Sequence, residues 1–181
     1  MAFAQLQIVS SLADAYSKDG ADALILIGNF DSIDDSALAE TIQQAQITDQ
    51  RVGKQPLLLK ADGVPGQRLV AAPTGSLNRD FDDVRQVFDA AHAAAKVAQD
   101  AGARHPVIAL NNVNVNDERY QQAFLAAYLG FCQALYQPLE AREAHGEEAI
   151  EPTQNVILVG ELDVEWAMAV EAGKRVARDL P

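Results

Sequence analysis

The chain has 181 residues, 49% hydrophobic and 22% charged, with 26 acids against 14 bases and a formal net charge of -12. That length and composition suit one sizeable folded core, while the acidic balance repels the phosphates of nucleic acid and anionic lipid, which clustered Lys and Arg would bind. Cys132 is the only cysteine, which excludes an intrachain disulfide and a Cys-based zinc site and favours a reducing compartment.

Met1 to Ser10 has no basic segment leading into an export-length apolar run, and no segment approaches the roughly 20 apolar residues of a membrane span. A cytoplasmic protein is expected, with neither nucleic acid nor membrane as partner. Leu6 to Val9 and Ala23 to Gly28 are short runs of Ile, Leu and Val separated by the polar Ser17-Lys18-Asp19-Gly20, the pattern of buried strands in one sheet. Asp34 or Asp35 can cap a helix carrying Leu38, Ile42 and Ala45 on one side, which the polar stretch Thr48 to Gln55 ends. Leu57 to Lys60 and Arg68 to Ala72 flank Asp62-Gly63-Val64-Pro65-Gly66, whose turn residues predict an antiparallel hairpin and hence a mixed sheet.

The strongest helical pattern runs from Phe81 to Ala101, with Phe81, Val84, Phe88, Ala91, Ala95 and Ala98 at three- and four-residue spacing. Asn78 or Asp80 is the expected N-terminal cap and Gly102 the terminator. Pro106 to Leu110 reads as the next strand. Asp117 is expected to open a helix bearing Tyr120, Phe124, Tyr128, Phe131 and Leu135, limited by Pro138. The charged segment 140–154, with Gly146 and Pro152, reads as a surface loop. Asn155 to Gly160 is a last strand, and Leu162, Trp166, Ala169, Val170, Gly173 and Val176 mark a terminal helix ending near Pro181. Strands alternating with helices predict a three-layer α/β/α sandwich around a mixed, mostly parallel sheet.

Three stretches go beyond periodicity: Pro73-Thr74-Gly75-Ser76-Leu77-Asn78-Arg79-Asp80-Phe81-Asp82-Asp83-Val84-Arg85, Leu135-Tyr136-Gln137-Pro138-Leu139-Glu140-Ala141-Arg142-Glu143, and Glu171 to Leu180. Through them the chain resembles the N-terminal domain of leucyl aminopeptidases, the M17 metallopeptidases, and within these the probable or leucine aminopeptidase-like branch. The resemblance covers residues 1–181 and implies one macro-domain-like unit, with the family's catalytic C-terminal domain absent. It implies that the complete enzyme removes N-terminal residues from peptides with two divalent metal ions, Zn or Mn, held in that other domain, and works as a homo-oligomer, usually a hexamer. The catalytic domain of the same or a homologous aminopeptidase is then the expected partner. The family's catalytic motif, Asn-Thr-Asp-Ala-Glu-Gly-Arg, has no counterpart here, so the resemblance carries over no catalytic or metal-binding residue.

Two-metal hydrolysis needs carboxylates converging on ions roughly 3.5–4 Å apart. Asp80, Asp82 and Asp83 are the nearest imitation, but acids opening a helix are what its dipole favours, and Glu161, Asp163 and Glu165 read the same way. His92, His105 and His145 lie in three unrelated contexts, against a triad or a metal cluster. Cys132 sits on an aromatic face without a basic neighbour, as a buried small hydrophobe rather than a nucleophile. Arg79 and Arg85 stand ready to pair with the neighbouring aspartates. Open α/β sheets bind ligands beyond the C-terminal ends of their strands, which singles out Asn29, Thr74, Gly75, Asn111 and Asn112 as a candidate loop cleft. The resemblance to macro domains offers a nucleotide such as ADP-ribose for it, whereas Asn, Thr and Gly are also ordinary turn formers.

Overall fold

The computed structural model describes residues 4–138, 143–144 and 153–179. Most of the charged segment expected as a loop, together with His145 and Leu180, lies outside the described residues. Strands β1 (Gln5–Val9), β2 (Ala23–Gly28), β3 (Leu57–Lys60), β4 (Arg68–Pro73), β5 (Pro106–Asn111) and β6 (Asn155–Val159) form one sheet in the order β1-β6-β5-β2-β4-β3. All neighbours are parallel except β3 and β4, which pair antiparallel, as the turn chemistry of the intervening segment required.

Because side chains alternate across a strand, β2 serves both faces at once. Ile25 and Ile27 join Val70, Ala72, Ile108, Val156 and Leu158 in one core, while Leu24 and Leu26 join Leu69, Ala71, Val107, Ala109 and Ile157 in the other. The first core is covered by α3 (Val84–Asp100), α4 (Ala123–Leu135) and α5 (Val164–Asp179), and the second by α1 (Leu12–Tyr16) and α2 (Ser36–Thr48). The three-layer sandwich with a mixed sheet is therefore the observed architecture.

Helix α1 has no counterpart in the sequence reading, since five residues show no periodicity; Ser11 caps it by accepting a bond from the Asp14 N–H. Asp35 caps α2 as anticipated, accepting from the Ala37 and Leu38 N–H groups. Helix α3 begins three residues later than expected, capped by Asp83 rather than Asn78 or Asp80, with Gln86 completing a reciprocal capping box. Phe81 is accordingly not on its buried stripe but 67% exposed. Gly102, at φ 78°, ends α3 in the left-handed region.

Helix α4 begins at Ala123 and not at Asp117. Asn114 and Asp117 accept bonds from the Asn116 and Arg119 N–H groups, which favours successive turns over a helix. Tyr120 is nevertheless buried. Helix α5 forms where the sequence places it, but of the apolar residues that mark it Trp166, Ala169, Gly173 and Val176 are exposed. Ala167, Glu171 and Arg175 are buried in their place.

Candidate functional site: a loop cleft at the strand ends

The parallel strands β2, β4 and β5 deliver their C-terminal ends to one edge of the sheet, where their loops meet. Gly28 makes the meeting possible: with φ 152°, a Cβ there would lie 1.8 Å from the Asn111 carbonyl oxygen. Only glycine tolerates that approach. Asn111, buried at the end of β5, donates through Nδ2 to the Asn29 carbonyl at 2.6 Å and the Ser32 carbonyl at 2.9 Å. Asn29 in turn accepts from the Asp31 N–H at 2.7 Å and donates to the Ser76 carbonyl at 3.4 Å, and the Thr74 N–H donates to Gly28 at 3.1 Å.

Four of the five residues singled out from the sequence therefore belong to this junction: Asn29, Thr74 and Asn111 knit the loops together, and Gly75 lines the adjoining cavity. Asn112 is exposed with φ 52° and is not among the lining residues. The asparagine amides thus satisfy neighbouring backbone, which is the ordinary turn role. The cavity measures about 270 Å³. Besides Asn29, Gly75 and Ser76 it is bounded by Asp31 and by Gln46, Gly53 and Lys54 from α2 and the turns that follow it. The sequence reading assigned that second group no role in the cleft, because only the folded chain brings the end of α2 beside the ends of β2 and β4.

The signature stretch after β4 forms a compact knot beside this edge. Asp82 is fully buried, accepts from the Arg79 N–H at 2.9 Å and from Arg79 Nε at 3.0 Å, and receives Gln86 Nε2 at 3.1 Å. The Arg79 guanidinium holds the Asp82 carboxyl below the usual carboxylate range against the opposing effect of desolvation. Leu77, strained at φ 55°, offers its carbonyl to the Tyr120 hydroxyl at 3.1 Å, and Arg119 donates to the Arg79 carbonyl at 3.2 Å. Arg119 also forks onto Asp117, whose carboxyl is lowered to about 2 chiefly by that bond. Phe81 stands outside the knot with the Arg79 guanidinium 4.7 Å from its ring centroid.

The remaining residues singled out from the sequence are dispersed. Asp83 caps α3 and pairs with Arg85, and Asp163 accepts from the Trp166 N–H at the start of α5. His92 lies on α3 with its Nδ1 buried and without a hydrogen-bond partner, and burial is the main cause holding its pKa down. His105 faces Asn155 Nδ2 at 3.0 Å. Cys132 is buried in α4 and hydrogen-bonded to Tyr128, whose hydroxyl is pushed upward mainly by burial. Among the described residues, no three His, Cys, Asp or Glu side chains converge as a metal site, and no helix is long and apolar enough to cross a membrane.

This fold is that of macro domains. The macrodomain of Thermus aquaticus DarG superposes with a TM-score of 0.52 at 12% identity, over 88% of this chain and 100% of that one. A mutant macrodomain from Oceanobacillus iheyensis gives 0.57 at 8% identity, over 95% and 93%. A mutant tomato leucine aminopeptidase has the same fold over 97% of this chain but only 36% of its own, with a TM-score of 0.67 at 14% identity. In sequence, the Caenorhabditis elegans protein named "Putative aminopeptidase W07G4.4" is 27% identical over 185 residues, which is 94% of this chain and 34% of that protein. No family model matches the chain. It spans about a third of the aminopeptidases it resembles, and the resemblance drawn from its motifs is met in both sequence and fold.

Proposed function

We propose that the chain is the non-catalytic N-terminal domain of a leucyl aminopeptidase-like metallo-exopeptidase of the M17 kind, serving its assembly or access to its active site. One observation carries this reading: nearly the whole chain matches an aminopeptidase relative, yet accounts for only 34% of it. The cleft chemistry supports it, since the polar side chains brought together at the strand ends are committed to holding backbone. On this reading the complete protein removes N-terminal residues from peptides in the cytoplasm. Two Zn or Mn ions sit in its catalytic domain, the partner of this one, and the whole forms a homo-oligomer, usually a hexamer. Incubating the chain with manganese or zinc and a leucyl anilide tests the central claim. The expected result is no hydrolysis, and turnover that persists through rigorous purification refutes it.

A second reading, a stand-alone module binding a nucleotide or related small ligand, is favoured by the macrodomain likeness together with the 270 Å³ cavity at the ends of β2 and β4. Calorimetry with ADP-ribose separates the two, because only this module would release heat at millimolar ligand.

A further inference from the structure

The loop cleft carries two charges that the fold does not engage. Asp31, from the loop after β2, and Lys54, from the turns after α2, line the same cavity. Neither side chain makes an ion pair or a hydrogen bond with any described residue, and they do not pair with each other. Elsewhere Arg51, Arg79, Arg85 and Arg119 each reach a nearby aspartate. The cavity is thus lined by one unmatched acid and one unmatched base.

Both loops are braced from behind. Asn111 grips the carbonyls of Asn29 and Ser32 on either side of Asp31, and the Asp31 N–H is held by Asn29 Oδ1. Val52 is buried in the second core two residues before Lys54, whose N–H donates to the Arg51 carbonyl at 2.9 Å. The cavity lining adds donors: the N–H groups of Gly53, Gly75 and Ser76 meet no acceptor among the described residues. Gln46 Nε2 lies 3.4 Å from where a Gly53 Cβ would stand. Phe30, Val52 and Pro73 supply apolar wall.

An acid, a base with spare N–H donors, and an apolar wall in one small space complement an α-amino acid. We propose that the cleft binds a free amino acid with an apolar side chain. Its carboxylate lies at Lys54 and the free N–H groups, its ammonium at Asp31, and its side chain against Phe30, Val52 and Pro73. Size points the same way: sites for drug-sized ligands measure about 300–1,000 Å³, and a cavity of about 270 Å³ suits an amino acid better than a nucleotide. So does charge. The -12 of the chain opposes a phosphate-bearing anion, whereas a zwitterion has no net charge to be repelled. The ligand class therefore departs from the nucleotide reading of the same cavity. On the aminopeptidase reading such an amino acid is what the complete protein releases, which would make the cleft a product sensor; the binding itself rests on the cavity alone.

Amide NMR of the isotope-labelled chain tests this with L-leucine as the probe. Titration to about 20 mM, beyond the millimolar affinity that a few exposed charge contacts give, should move the signals of Gly53, Gly75 and Ser76 and leave those of α5 in place. Leucinamide lacks the carboxylate and N-acetylleucine lacks the ammonium, so each forfeits one charge-assisted contact and should bind about tenfold more weakly. Lys54→Met should erase the preference for leucine over leucinamide, and Asp31→Asn the preference over N-acetylleucine. Both side chains are exposed and partnerless, so both variants should melt with the parent chain. Unmoved signals at these amides overturn the proposal, as does either analogue binding as well as leucine, or a preference that survives its substitution. ADP-ribose moving the same amides at lower concentration than leucine also overturns it and gives the cavity to the nucleotide reading.

Discussion

Helices α4 and α5 cover the same face of the sheet by opposite means. Helix α4 buries nearly everything it has, and its Gly130 lies so close to α3 that a Cβ would stand 2.2 Å from the Phe88 carbonyl oxygen. Helix α5 buries a Glu171–Arg175 pair, 2% and 5% exposed, and leaves large apolar side chains in solvent. The difference separates what the fold needs internally from what it presents outward: α4 is fitted to its neighbours atom by atom, whereas the outer side of α5 answers to nothing in its own subunit.

The ion pair is where this contrast breaks most readily. Arg175 Nε donates to Glu171 Oε1 at 2.8 Å, while Glu171 Oε2 is buried without a partner. Removing one member of a buried pair costs about 3–5 kcal/mol, whereas replacing both by apolar side chains is often neutral or favourable. Glu171→Ala should therefore lower stability by about that amount in urea unfolding, and Glu171→Leu combined with Arg175→Met should recover most of it. A single substitution costing as little as the double one would show that α5 is not anchored through this pair. Next in size is Gly130→Ala. Its new methyl would strike backbone rather than a flexible side chain, and overpacking of that kind costs about 1–3 kcal/mol, measurable by the same unfolding curves.

The knot after β4 supplies a smaller, pH-dependent effect. The Asp82 carboxyl is held below its ordinary 3.8 by Arg79, so the folded state binds that proton less readily than the unfolded chain. Its contribution is fully present above the unfolded value and is lost as pH falls through the lowered folded one. Acid titration below pH 4 should loosen Phe81 and the start of α3 first, and Asp82→Asn should remove that part of the dependence. Carboxyl NMR offers an internal check, because Asp117 should titrate near 2.

Most of the architecture was legible because it rests on short-range rules. Ile25 and Ile27 against Leu24 and Leu26 spell a strand buried on both faces, and Asp62-Gly63 with Pro65-Gly66 spells the reversal that makes β3 antiparallel. The helix starts were less legible where two caps compete. Asn78, Asp80 and Asp83 all suit the role, and Asp83 takes it because Asp82 folds back on Arg79. At the cleft, Asn29, Thr74, Gly75 and Asn111 were found from strand-end logic alone. Lys54 and Gln46 were not, since a helix end 20 residues away in sequence gives no sign of which strand end it adjoins. For α5 the spacing of Trp166, Gly173 and Val176 spelled a helix but not its orientation, since apolar periodicity does not say which side packs on the sheet, and Ala167, Glu171 and Arg175 take that side.

That distinction yields the finest test. Gly130→Ala and Gly173→Ala are the same chemical change in the interiors of two helices on one face of the sheet. The first meets the Phe88 backbone and the second meets open space. Replacing a helical glycine that has room by alanine stabilises by about 0.5–1 kcal/mol, so Gly173→Ala should raise the melting temperature while Gly130→Ala lowers it. Equal shifts of the same sign would show that the Phe88 backbone is not what fixes glycine at position 130.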